Sequence, residues 1–130
     1  MGLIFYATDK EGVGRPLWKL YQELAAEHQG EFYQTIDSLS QKLRQPLDGF
    51  TIAIFMASNH DNLMDFLTIK DLLDDVRIIL ILPDRNEDTI KAGHTLRPRF
   101  LTYLDSNFSW VETVLKKMLS NHYGGNQAKY

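Results

Sequence analysis

The chain of 130 residues contains no cysteine. This absence excludes disulfides, thiolate metal sites and cysteine nucleophiles, and it leaves the redox compartment open. The four histidines stand singly along the chain and show no metal-ligand spacing, so we expect no metal site and no cofactor held by one. Basic residues are not in excess, because the chain contains 14 Lys and Arg against 17 Asp and Glu, which gives a net charge of -3. Direct binding to nucleic acid is therefore disfavoured.

Long apolar runs are also absent. The opening stretch "MGLIFYATDKEG" lacks the basic leader and extended apolar core of a signal peptide, and its apolar run is too short to span a bilayer. We therefore expect a cytoplasmic protein without membrane contact. The length fits one domain, predicted over residues 1–122, and the glycine-containing, polar segment 123–130 is predicted to be a flexible tail.

Apolar runs of strand length alternate with segments of helical periodicity, giving five strand-helix units. The five strand candidates are "GLIFYA", "EFYQTI", "FTIAIFMA", "VRIILIL" and "RFLTYLD". This alternation is typical of an α/β protein with a parallel sheet covered by helices. In the first helix Pro16 suits the opening turn and Gly30 is expected to terminate the turn that follows. The fourth helix is expected to be short or mobile because Gly93 interrupts it.

The second half of the chain, "RIILILPDRNEDTIKAGHTLRPRFLTYLDSNFSWVETVLKKML", resembles the receiver domains of response regulators in two-component signalling. "SLSQKLRQPLDGFTIAIFMA" is similar to the second helix and third strand of the same family. The resemblance implies a flavodoxin-like three-layer (βα)₅ sandwich with a five-stranded parallel sheet of order 2-1-3-4-5.

Receiver chemistry requires a phosphoacceptor Asp after the third strand, an acidic pair that holds Mg²⁺ after the first, a hydroxyl after the fourth and a Lys after the fifth. By position, the acceptor falls on Met56 or Ala57, the hydroxyl on about Leu82 and the Lys on Tyr103. Asp9, with Glu11 just beyond it, is the remaining candidate for the acidic pair, and residual Mg²⁺ binding there is left open. Apolar side chains and a Tyr cannot hold a hard cation. The resemblance therefore implies a degenerate phosphoacceptor pocket, a pseudo-receiver without enzymatic activity.

Receivers commonly bind partners through the fourth helix, fifth strand and fifth helix, which correspond here to residues 89–96, 100–104 and 109–119. By resemblance, this face would bind a protein partner in a regulatory system through Phe100, Tyr103 and Trp110. A homodimer through the same face is an alternative. Phe100 falls at the position of the receivers' switch aromatic.

A second interpretation is a small flavodoxin-like protein that binds a ligand or nucleotide, or acts as an enzyme, through the loops after the first and third strands. The candidate ligand residues there are Glu11, Arg15, Ser58 and His60. The first loop lacks the spaced glycines of a dinucleotide fingerprint and the Lys-Ser/Thr of a P-loop. Ser58, His60 and Asp61 superficially suggest a hydrolase set, but no nucleophile elbow precedes Ser58, and capping of the next helix is the favoured role.

Overall fold

The computed structural model describes residues 2–46 and 49–128, with the side chains of residues 122–128 left out. Five strands alternate with five α-helices, and a short 3₁₀ turn, Lys70–Leu72, precedes the fourth strand. The strands are β1 (Gly2–Tyr6), β2 (Gly30–Tyr33), β3 (Thr51–Met56), β4 (Val76–Leu82) and β5 (Phe100–Tyr103). The helices are α1 (Arg15–His28), α2 (Ile36–Leu43), α3 (His60–Thr68), α4 (Glu87–Thr95) and α5 (Ser109–Ala128).

All strand pairs are parallel and the strand order is β2-β1-β3-β4-β5, which confirms the predicted flavodoxin-like α/β fold. Side chains alternate between the two faces of the sheet, so the core has two halves. One half joins the sheet to α1 and α5 and includes Met56 and Ile81, whereas the other joins it to α2, α3 and α4 and includes Ala57 and Leu82. The β3 strand is buried along its whole length, as expected for a central strand covered on both faces.

The first helix begins as predicted and ends differently. Pro16 lies in the first turn, and Leu17, Leu20 and Leu24 are buried on one side. The left-handed residue that ends the helix is Gln29, with φ of 55°, and not Gly30, which is already the first residue of β2. The prediction placed the turn one residue too late.

The fourth helix is regular over nine residues in spite of Gly93. A Cβ atom at this position would lie 3.1 Å from a methyl of Leu82 and 3.3 Å from one of Leu101. The glycine that weakens the helix locally therefore allows α4 to approach β4 and β5 closely, and the tertiary contact offsets the low propensity.

The last helix continues to Ala128, so it includes most of the segment predicted as a flexible tail, while Lys129 and Tyr130 lie outside the described residues. Mobility of residues 123–130 stays a prediction. Within residues 2–46 and 49–128, no helix combines the length and the apolarity that a membrane span requires.

Candidate functional site

The carboxyl-terminal edge of the sheet is the place where ligands bind in open α/β folds. Tyr6, Met56, Leu82 and Tyr103 are the last residues of β1, β3, β4 and β5. Since the strands are parallel, these residues and the loops that follow them meet at this one edge. The edge thus contains the positions that the receiver resemblance assigns to the phosphoacceptor pocket.

The tip of β3 is buried and apolar. Met56 is 2% exposed and Ala57 is 0% exposed. The Ala57 N–H donates to the carbonyl of Ile81 at 2.9 Å, so pairing with β4 continues one residue past the strand end. Met56 and Ala57 belong to opposite halves of the core. Neither face of the tip presents an ionisable group at these two positions.

The tips of β4 and β5 are covered by side chains from neighbouring elements. Leu82 is fully buried beside Gly93 of α4. Tyr103 is half-buried, and the Arg85 guanidinium lies 4.0 Å from the centre of its ring. Arg85 also donates to Asp105 at 2.9 Å, and this hydrogen bond raises the pKa of Arg85. The cation nearest this part of the edge is therefore already paired with a carboxylate.

Arg85 joins the loop after β4 to the loop after β5. Besides its contacts with Tyr103 and Asp105, its guanidinium donates to the Ser106 hydroxyl at 3.2 Å. We call Arg85, Tyr103, Asp105 and Ser106 the Arg85 clasp. This group of contacts could not be predicted from the sequence, because Arg85 and Asp105 are separated by 20 positions and lie in loops.

Asp9 organises the loop after β1. Its Oδ1 atom accepts hydrogen bonds from the N–H of Gly12 at 3.1 Å and from the N–H of Gly14 at 2.8 Å. A Cβ atom on Gly14 would collide with the Asp9 carbonyl oxygen. Glu11 is exposed in the same loop. No cluster of three or more His, Asp or Glu with metal-binding geometry occurs among the described residues. Asp9 therefore fixes the conformation of the loop through its two hydrogen bonds.

The residues after β3 form a reciprocal helix cap. The Asn59 side chain accepts from the Asn62 N–H at 2.9 Å, and the Asn62 side chain accepts from the Ser58 N–H at 2.9 Å. His60 is exposed and is the first residue of α3. The Ser58 hydroxyl is buried without a hydrogen-bond partner within the described part of the chain. Ser58 and His60 are thus not joined as a nucleophile and a base.

Asp84 is a further acid at this edge that the sequence interpretation did not single out. Its carboxylate accepts from the Asn86 N–H at 2.9 Å. This bond, a second one from the Thr89 side chain and the nearby charge of His60 lower the pKa of Asp84. An Asp two residues before Asn86, where α4 is about to begin, is a local capping signal that could have been recognised.

The residues of the predicted ligand loops remain apart in polar contacts. Arg15 is the first residue of α1 and is exposed, as is Glu11. Within residues 2–46 and 49–121, neither forms a hydrogen bond or an ion pair with Ser58 or His60. The role of these four residues in binding a ligand stays a prediction.

The predicted partner face includes one strongly exposed aromatic residue. Trp110, in the first turn of α5, is 59% exposed. Phe100 and Tyr103 are half-buried on β5, which pairs only with β4 and so forms one edge of the sheet. Trp110 is thus the residue of this group with most of its surface available.

A cavity of about 390 Å³ opens at the same edge, on the side of α1 and α5. Met56, Ile81 and Val111 line it from the core, and Gly12, Val13 and Pro16 line it from the first loop and α1. The remaining lining residues come from the end of β5 and the loop before α5: Thr102, Tyr103, Leu104, Ser106, Asn107 and Phe108. We call this space the tip cavity.

Comparison of the chain with models of protein families, with curated proteins and with solved structures found no match.

Proposed function

We propose that the protein is a receiver-like interaction module that binds a protein partner in a cytoplasmic regulatory system and works without phosphorylation. The observation that supports this most directly is the tip of β3. At the position that corresponds to the phosphoacceptor, Met56 and Ala57 are apolar and buried. A carboxylate nucleophile with access to solvent is therefore lacking at both positions.

The residues around the tip support the same proposal. Phosphoryl transfer to a carboxylate requires a dication and an ammonium group to offset the accumulating negative charge. Asp9 already accepts two backbone N–H groups, and Tyr103 replaces the ammonium of a Lys. The nearby Arg85 is bound to Asp105. Asp9 and Arg85 thus each have a structural role that phosphoryl transfer would have to disrupt.

Phosphoryl transfer is tested directly by incubating the purified protein with acetyl phosphate and Mg²⁺ and measuring the intact mass. A receiver domain with its acceptor Asp, treated in parallel, is the positive control. We expect the control to gain a phosphoryl group and this protein to keep its mass. A stable gain of one phosphoryl group would refute the proposal, and its persistence or loss in the Asp9→Asn variant would show whether Asp9 is needed for the transfer.

Partner binding is proposed to depend on Trp110, since exposed Trp side chains are enriched among the residues that dominate protein interfaces. Trp110→Ala is compared with Val13→Ala, which alters the other large apolar side chain that is exposed among the described residues, 47% exposed on the first loop. Both variants should keep the wild-type thermal stability, because both side chains are exposed.

The first measurement is the recovery of one partner protein, at a fixed ratio to this protein, from extracts of the organism that encodes it. The second is the mass of the protein in solution. We expect Trp110→Ala to lose the partner and Val13→Ala to retain it, with or without acetyl phosphate. A homodimer through the same face would appear as a doubled mass that only Trp110→Ala reduces. Equal recovery by both variants would argue against this face.

A further inference from the structure

We propose that the tip cavity is a binding site for a neutral, mainly apolar ring compound of one or two rings. This inference goes beyond the proposed function, because it requires no protein partner, and it concerns a space whose lining shares Thr102, Tyr103, Leu104 and Val111 with the ranges of the predicted partner face. Three features of the cavity support this ligand class: its size, the chemistry of its lining and the interactions that hold its walls.

The size of the cavity suits a small ring system. Protein interiors are close-packed and contain few voids larger than a water molecule. A cavity of about 150 Å³ lined by apolar side chains accommodates benzene. At about 390 Å³, the tip cavity is more than twice as large and falls in the lower part of the range of small-molecule pockets, roughly 300–1,000 Å³.

The lining excludes an anion or a cation as the preferred ligand. None of the residues that line the cavity is an Asp, Glu, Lys, Arg or His. A charged group that entered would lose hydration without gaining a partner of opposite charge, which is costly. Phosphates and carboxylates are therefore disfavoured, and a nucleotide would have to leave its phosphates outside.

The floor of the cavity is apolar and its margin supplies a few polar groups. Met56, Ile81 and Val111 lie at its base and are each at most 2% exposed, so most of the apolar surface open to a ligand belongs to Val13, Leu104 and Phe108, which are exposed or half-buried. Thr102, Ser106 and Asn107 are polar residues of the lining, whereas the ring of Tyr103 packs on the half of the core that includes Leu82. An apolar surface with a small number of hydrogen-bonding groups is the usual chemistry of a site for uncharged ligands, because the polar groups orient what the apolar surface binds.

Two structural interactions hold the walls of the cavity in place. The first loop, with Gly12 and Val13, is fixed by the two hydrogen bonds to Asp9. The opposite wall, with Tyr103 and Ser106, is fixed by the Arg85 clasp. Because the walls are ordered before binding, a ligand does not bear the entropic cost of ordering them.

The test is a titration of the full chain with indole and with 2-naphthol, followed by NMR of the methyl groups of Met56 and Ile81. Saturable shifts of both methyl signals, with contacts from the ligand protons to them, are the expected result. 2-Naphthoate, of similar size but charged, should bind at least tenfold more weakly. Absence of saturable shifts with both neutral probes, or tighter binding of 2-naphthoate, would overturn the proposal.

Variants locate the site. Val111→Phe fills the cavity and should weaken 2-naphthol binding at least tenfold, whereas Val114→Phe, on the same helix and outside the cavity lining, should leave it within twofold. Val13→Trp alters only the exposed margin and should also weaken binding, so the test remains decisive if Val111→Phe does not fold. Wild-type affinity in both Val111→Phe and Val13→Trp, or in Val13→Trp when Val111→Phe does not fold, would place the probe elsewhere and refute the assignment.

Discussion

Placing a carboxylate at the tip of β3 tests whether that tip is closed to water. The substitution is Met56→Asp, which puts the receivers' acceptor residue at one of its two candidate positions. Met56 is 2% exposed and belongs to the core half that includes Ile81 and Val111. The new carboxyl would lie at the base of the tip cavity, whose lining contains no charged residue, so burial should raise its pKa above the ordinary value of about 3.9.

The expected loss of stability in Met56→Asp follows from the linkage between the pKa of the new carboxyl and folding. An acid whose pKa is raised in the folded state does not lower the free energy of unfolding at pH values below its unfolded pKa. The loss of stability grows as the pH rises from the unfolded pKa toward the folded pKa. About pH 7 lies roughly three units above the ordinary Asp value, and each unit corresponds to about 1.4 kcal/mol. A carboxyl that stays protonated in the folded protein at this pH therefore lowers the free energy of unfolding by about 4 kcal/mol, which is the largest loss that linkage allows there. This is a large part of the typical 5–15 kcal/mol of unfolding free energy.

The matched control is Met56→Asn, which has nearly the same shape and polarity but cannot ionise. Urea unfolding of the two variants at about pH 4 and about pH 7 isolates the charge term, because the loss of Met packing is common to both. We expect similar free energies of unfolding at the lower pH and a gap of up to about 4 kcal/mol at the higher pH. Equal stability of the two variants at both pH values would show that the tip is hydrated and would refute the closed tip.

Three further outcomes follow from local contacts. Gly14→Ala should lower the free energy of unfolding by about 1–3 kcal/mol through overpacking against the Asp9 carbonyl. Gly12→Ala should lower it less, because the new Cβ would lie 3.3 Å from the nearest atom. Urea unfolding of both variants measures the difference. Asn62→Ala should cost about 1 kcal/mol because it leaves a backbone N–H after β3 without its acceptor, and thermal unfolding measures it. Burial and a hydrogen bond to the Glu31 carboxylate raise the pKa of Tyr33 above 10.0. The contribution of the Tyr33 hydroxyl to stability should therefore be complete below that pH and be lost as the pH rises beyond it. Tyr33→Phe should remove this part of the loss of stability at alkaline pH, measured by denaturant titration. A Gly14→Ala protein as stable as wild type, an Asn62→Ala protein with an unchanged melting temperature or an unaltered alkaline slope in Tyr33→Phe would each contradict the corresponding contact.

Elements with strong local patterns were predictable. The β4 strand is a continuous run of β-branched residues and Leu apart from Arg77, and Pro83 follows its last residue, so both its type and its end could be read directly. The first helix has its opening Pro and its apolar positions in sequence order. Its end was misplaced by one residue because Gln29 adopts the left-handed conformation for which glycine is only the statistical preference.

The candidate site was predictable in position but not in contacts. The residues at the strand ends follow from the strand pattern, and the receiver resemblance selected Met56, Ala57, Leu82 and Tyr103 among them. The bonds of Asp9 to two glycine N–H groups could not be read from the sequence, since they depend on the path of the loop. The Arg85 clasp and the tip cavity depend on three loops that are distant in sequence.

The sequence by itself determined the alternation of strands and helices, the apolar tip of β3 and the lack of a Lys after β5, because these are properties of residue type and period. Only the tertiary structure decided what surrounds that tip. It placed Gly93 where α4 approaches β4 and β5, paired Arg85 with Asp105 and left a cavity between the first loop and the start of α5. The physical reason is that packing and charge pairing are made between segments far apart in the chain, and local pattern carries no record of which segments will meet.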